Sequence, residues 1–84
     1  MRDTLRSPRQ QVVRALLRDM RRRRNLTQSE VAERLAKPQS FVAKYERGER
    51  RLSVIEFIDV VRALGTKPTV AMRQLVEAMD RSDR

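Results

Sequence analysis

The chain has 84 residues and a formal net charge of +9, from 20 Lys and Arg against 11 Asp and Glu, a size that allows one domain with a modest core. Cysteine and histidine are both absent, which removes disulfides, thiolate metal sites, and the commonest general base and metal ligand. No apolar run approaches the roughly 20 residues of a membrane span, and the N-terminus lacks the apolar centre of a signal peptide, so a cytoplasmic chain without a membrane partner is expected.

Ser7-Pro8-Arg9-Gln10 reads as a helix start, with an N-cap hydroxyl, a first-turn Pro and a Gln three residues after the cap. Val13, Leu16, Leu17 and Met20 then keep the i, i+3, i+4, i+7 spacing of one buried face, and Asn25 suits the left-handed position that ends a helix. The charge is concentrated here. Met1 to Asn25 holds nine Arg against two Asp, whereas Leu26–Gly65 and Thr66–Arg84 each amount to +1. A basic first quarter points to a polyanion, either nucleic acid or an acidic membrane surface. The side chains of Arg21-Arg22-Arg23-Arg24 fan over about 300°, so they cannot share one partner. Arg21 continues the line of Leu17 and is the structural candidate. The other three form a solvated helix end favourable to the dipole, with one or two near phosphate. Arg14 and Arg18 share a face and add a long-range attractive field.

Thr27-Gln28-Ser29-Glu30 is a capping box, with Leu26 and Val31 as its hydrophobic staple. Val31, Ala32 and Leu35 give this second helix its inward face, and Ala36-Lys37-Pro38 interrupts the pattern. A third helix restarts at Pro38 or Gln39 and runs to about Arg47, with Gly48 as its stop. Ser53-Val54-Ile55-Glu56 is another box, stapled by Leu52 and Phe57, opening a fourth helix that Gly65 closes. A fifth helix starts at Thr66, Pro68 or Thr69 and reaches about Met79. Residues 1–84 read as a single all-α domain, with a recognisable core over about 8–79 and frayed polar termini. Val54, Ile55, Phe57, Ile58, Val60 and Val61 are more apolar surface than one core-facing stripe needs. They pack on the fifth helix, or the two helices form a dimer face through Val54, Ile58, Val61, Met72 and Leu75.

Function concentrates on the third helix. On its wheel Gln39, Ser40, Ala43, Lys44 and Arg47 occupy roughly 0–140°, and Pro38, Phe41, Val42 and Tyr45 roughly 200–300°. The first arc has what a groove-reading helix needs: Gln for an adenine edge, Lys for guanine acceptors, and an Ala methyl for thymine. Three residues between the second and third helices is the spacing that lets one cross the DNA backbone while the next enters the major groove. Arg47, Arg50 and Arg51 then fall where phosphates run, and Gln28 sits in a helix first turn whose free amides favour an anion.

Leu26-Thr27-Gln28-Ser29-Glu30-Val31-Ala32, Gln39-Ser40-Phe41-Val42 and Tyr45-Glu46-Arg47-Gly48, at their joint spacing, resemble the Cro/phage-repressor (Xre-like) helix-turn-helix family over about Leu17 to Gly65. The resemblance implies a five-helix, lambda-repressor-like fold with the helix-turn-helix at helices 2 and 3. It also implies a phosphate grip by Gln28, base reading by Gln39, Ser40, Ala43 and Lys44, and an ion pair between Arg21 and Glu46. Two departures stand out. Ala36 occupies the usual Gly of the turn, where a left-handed conformation would cost roughly 1 kcal/mol or a re-angled turn would move Gln39. Pro38 replaces a capping hydroxyl, which gives up one N-cap bond.

Glu30 and Glu56 are explained by capping, Glu46 by its Arg and Asp59 by a solvent face, so no acid pair suggests catalysis and no cofactor or metal is expected. The expected function is a sequence-specific DNA-binding transcription regulator. Its partners are double-stranded DNA and a second copy, and it acts as a homodimeric repressor or antitoxin-like autorepressor. The alternative is a protein-interaction module in which helices 4 and 5 hold a partner such as a toxin.

Overall fold

The computed structural model describes residues 7–83 and contains α1 (Pro8–Arg23), α2 (Gln28–Leu35), α3 (Gln39–Arg47), α4 (Val54–Ala63) and α5 (Pro68–Ser82), with no strand among those residues. Local chemistry sets most of the starts. Ser7 Oγ accepts from the Gln10 amide at 3.2 Å ahead of Pro8. Thr27 Oγ1 accepts from the Glu30 amide at 3.0 Å while the Glu30 carboxylate accepts from the Thr27 amide at 2.8 Å. Ser53 and Glu56 repeat that exchange at 3.1 and 2.8 Å. Neither α3 nor α5 has a side-chain cap. Pro38 and Lys67 stand at their N-caps, and Pro68 settles the start of α5 because its missing amide is harmless in a first turn.

Four helix ends share one device. A residue with positive φ, namely Asn25 (55°), Ala36 (56°), Gly48 (81°) or Gly65 (78°), lets the next amide return to a carbonyl five residues back. Those bonds are Leu26 to Arg21, Lys37 to Ala32, Glu49 to Lys44 and Thr66 to Val61, at 2.8–3.1 Å. Ala36 therefore carries a Cβ in the left-handed region, and α2 and α3 keep the tight turn despite it.

The core joins Leu17 and Met20 of α1, Val31 and Ala32 of α2, Phe41, Val42 and Tyr45 of α3, Phe57, Val60, Val61 and Leu64 of α4 and Ala71 of α5. Phe41 and Tyr45 meet edge to face, with centroids 5.7 Å apart. Helix α2 packs on α3 and α4, and α1 on α3 and α5. This leaves the Gln39–Ser40–Lys44 side of α3 without a covering element.

One sequence expectation changes. Helix α5 does not fray at Asp80. It continues to Ser82, and Asp83 Oδ2 accepts from Arg9 Nη2 at 2.7 Å. The frayed start expected at the other end lies outside the described residues. Among the described residues no helix is long and apolar enough to cross a membrane.

Candidate nucleic-acid interface

Helix α3 divides as its wheel does, with one exception. Phe41, Val42 and Tyr45 are buried and Gln39, Ser40, Lys44 and Arg47 are exposed. Ala43, expected on the reading arc, is 5% exposed yet stands outside the contiguous apolar core. Its methyl is covered where it lies, so it cannot meet a thymine methyl unless that cover moves.

A relay of side chains from three helices supports the start of α3. Glu46 receives Arg21 Nε at 2.7 Å, Arg21 Nη2 at 2.9 Å and Gln28 Nε2 at 3.0 Å. Gln28 Oε1 in turn accepts from Gln39 Nε2 at 2.7 Å. Arg21 Nη1 also donates to the Leu26 carbonyl at 2.9 Å, which ties the α1–α2 turn to α3. The Arg21 and Glu46 side chains are only 12% and 6% exposed. The hydrogen bond to Glu46 holds the Arg21 guanidinium above its ordinary pKa. Because both polar atoms of the Gln28 side chain are engaged, this side chain positions Gln39. What α2 still offers an anion is its free first-turn backbone amides. Ser40 and Lys44 make no hydrogen bond or ion pair among the described residues.

The loop cations divide into two kinds. Arg47 forms an exposed pair with Glu49, at 3.0 and 3.2 Å, and Arg51 is exposed. Arg50, expected at a phosphate, turns inward instead. It donates to both Glu56 oxygens at 2.8 and 3.0 Å and to the Arg51 carbonyl at 2.9 Å, and its guanidinium lies 4.7 Å from the Phe41 ring centroid. The Arg50 guanidinium, aided by the Ser53 amide, pulls the Glu56 carboxyl down to about 2. Arg50 thus braces the α3–α4 loop through a fork geometry that Lys could not reproduce.

A helix-turn-helix family model matches residues 17–70. An XRE-family like protein from Pseudomonas syringae pv. tomato strain DC3000 is 49% identical, with 84% of this chain and 85% of that one covered and a TM-score of 0.78. The chain belongs to the XRE helix-turn-helix family. By that membership it is a DNA-binding transcription regulator and not an enzyme. The clp gene regulator ClgR from Corynebacterium glutamicum is similar at 26% identity, over 86% of this chain and 88% of that one, with a TM-score of 0.72. The restriction-modification controller protein C.Esp1396I shares the fold at 18% identity, with 87% and 96% covered and a TM-score of 0.80. No curated protein gives a significant match.

The XRE fold also relocates residues outside the reading arc. Val61, expected on a dimer face, is fully buried. The inward stripe of α4 is Phe57, Val60, Val61 and Leu64, so Val61 belongs to the core. Ile58 and Leu75 are half-buried, and Val54 and Met72 are exposed. Ile55 and Val76, not among the residues expected on the dimer face, are 72% and 49% exposed. Placing the α4 wheel on its Phe57–Leu64 stripe would have found Ile55.

Arg14 and Arg24, expected to face solvent or DNA, close helix ends, and so does Arg34. Arg24 Nη2 donates to the Gly65 carbonyl at 3.0 Å, and Arg34 Nη1 to the Ala63 carbonyl at 2.8 Å, both at the end of α4. The Arg14 guanidinium covers Gly48 so closely that a Cβ there would lie 2.6 Å from its Nη1. No local signal gave this role, because each arginine closes the end of another helix far from it in the sequence. Arg18 Nε is buried without a hydrogen-bond partner among the described residues, while Arg22 and Arg23 are exposed.

Proposed function

We propose that the chain is a sequence-specific regulator that binds double-stranded DNA as a homodimer and sets the start of α3 into the major groove of each half-site. One observation carries this reading. The Arg21–Glu46–Gln28–Gln39 relay holds a base-reading amide at the exposed start of α3 before DNA arrives, which lowers the ordering cost of binding. Gln39 suits the paired donor and acceptor of adenine, Lys44 suits guanine O6 and N7, and Ser40 suits either. Arg47, Arg51 and the first amides of α2 flank that arc and suit phosphates. Such a protein works in the cytoplasm, where its DNA is, and represses by occupying its site, in the manner of an antitoxin-like autorepressor.

The apolar surface favours a second copy as the partner. Val54 and Ile55 of α4 and Met72 and Val76 of α5 are 69, 72, 41 and 49% exposed. A groove of about 160 Å³ beside them is lined by Val13, Phe57 and Leu75. Apolar patches of this kind mark interfaces, and a two-fold pair covers the same patch on both copies while spacing its recognition helices about 34 Å apart. C.Esp1396I, which shares the fold, is a tetramer on its natural 35 base-pair operator.

Selection from a random duplex pool would supply the preferred site. At that site Gln39→Ala or Lys44→Ala should cost roughly 1–3 kcal/mol and relax base preference. Intact affinity in both variants rejects the groove-reading model. Sedimentation at micromolar concentration should give a dimer that Ile55→Glu converts to a monomer, and a wild-type monomer would sink the dimer.

A further inference from the structure

On the Phe41 side of α3, away from the reading arc, lies a groove of about 540 Å³ along the seam between the end of α2 and α4. That volume is typical of ligand clefts. Its apolar floor is made by the half-buried Leu35 and Ala63 over the buried Phe41 and Val60, and its rim carries the exposed Arg34, Lys37 and Arg62. Two carboxylates also line it. Glu56 is held by Arg50 and the Ser53 amide, which leaves Asp59 as the rim's unengaged acid among the described residues. Arg62 makes no hydrogen bond or ion pair among those residues. Arg34 engages only one donor, on the Ala63 carbonyl.

We propose that this groove docks an acidic segment of a partner protein, with an apolar side chain seated over Leu35 and Ala63 and flanking carboxylates against Arg34, Lys37 and Arg62. The rim decides the sign, because three cations face one unengaged acid. The floor decides the class. A single-stranded nucleic acid needs an aromatic face on which to stack. Phe41 offers none, being 9% exposed with Lys37 Nζ 5.3 Å and the Arg50 guanidinium 4.7 Å from its centroid. An acidic peptide with interspersed apolar residues fits both rim and floor. The groove also lies off the Gln39–Ser40–Lys44 arc, so partner and DNA bind together.

Fluorescence anisotropy of the full chain with a labelled peptide alternating Asp or Glu with Leu or Phe tests the assignment. Arg62→Glu should weaken the peptide by roughly tenfold or more and Asp59→Asn should tighten it, while affinity for duplex DNA changes by less than about twofold. The assignment is overturned by no peptide binding, by binding that ignores Arg62→Glu, or by a poly-Glu peptide binding as tightly as the mixed one. It is also overturned by a single-stranded oligonucleotide that loses as much as the peptide does. Should Arg62→Glu fail to fold, Asp59→Asn decides alone, and unchanged affinity there refutes the site. Duplex binding is read separately, so loss of the groove and loss of DNA recognition are distinguishable.

Discussion

Replacing Glu46 by Ala removes the carboxylate that receives two bonds from Arg21, at 2.7 and 2.9 Å, and one from Gln28 at 3.0 Å. Arg21 keeps only the Leu26 carbonyl at 2.9 Å, inside a site where its side chain is 12% exposed. Stranding a buried charge costs about 3–5 kcal/mol. The retained carbonyl bond and the place of Arg21 in the last turn of α1 favour the lower end, about 3 kcal/mol. A domain of this size has a total stability of about 4–12 kcal/mol, so the variant loses a large share of it and Tm should fall by roughly 12–24 °C. Removing both charges, with Arg21→Met and Glu46→Leu together, should be milder than Glu46→Ala alone because no charge is left stranded. Urea unfolding followed by far-ultraviolet circular dichroism measures all three chains. A loss below about 1 kcal/mol for Glu46→Ala would place the pair among exposed ones. A double variant no milder than Glu46→Ala would equally refute the stranded-charge reasoning.

The Glu56 carboxyl, held near 2 by Arg50, lies below the unfolded value of about 4.3. Its contribution is therefore present above the unfolded value and lost as pH falls from about 4.3 towards 2. Urea midpoints of wild type and Glu56→Gln should differ at neutral pH and converge in acid; a constant difference contradicts the pairing. Ala36→Gly should raise stability by about 0.5 kcal/mol, since release of roughly 1 kcal/mol of left-handed strain exceeds the added unfolded-state entropy; a lower Tm speaks against strain at the turn. Glu49→Gln should release Arg47 for phosphate, raise affinity for all duplexes alike, and steepen the slope of log K against log salt by up to about one unit. An unchanged slope shows that Arg47 does not meet phosphate.

The fold was legible because its boundaries are written in short-range chemistry. Ser7, Thr27 and Ser53 each cap a helix through a residue three positions on, and Gly48, Gly65 and Asn25 each permit the left-handed stop. The two-faced character of α3 was legible for the same reason, since Phe41, Val42 and Tyr45 keep a helical period. What the pattern could not supply was the direction of long polar side chains. Nothing local says that Arg50 turns back to a Glu six residues on. Gln28 and Gln39 are eleven residues apart, and their bond exists only once the α2–α3 turn has folded. Ala43 shows the complementary limit, because a small side chain on a polar arc is covered by its neighbours. Val61 was misplaced because a 54–58–61 line and the true 57–60–61–64 stripe share a residue.

The net charge of +9 overstates what DNA meets. Arg21 is paired with a buried carboxylate and Arg50 with a partly exposed one, and Arg24 and Arg34 donate to carbonyls at the end of α4. Short helices leave many terminal carbonyls unsatisfied in a small domain, and a guanidinium both satisfies them and opposes the dipole. Much of the arginine content is thus a consequence of building the domain from five short helices. On the reading arc Lys44 is unpaired among the described residues, while Arg47 is shared with Glu49. In the proposed complex, attraction to phosphate from that arc is therefore modest, and discrimination between sequences falls to groups that form directed hydrogen bonds. Gln39 is the best placed of these, because a buried ion pair between α1 and α3 fixes, through Gln28, where its amide points.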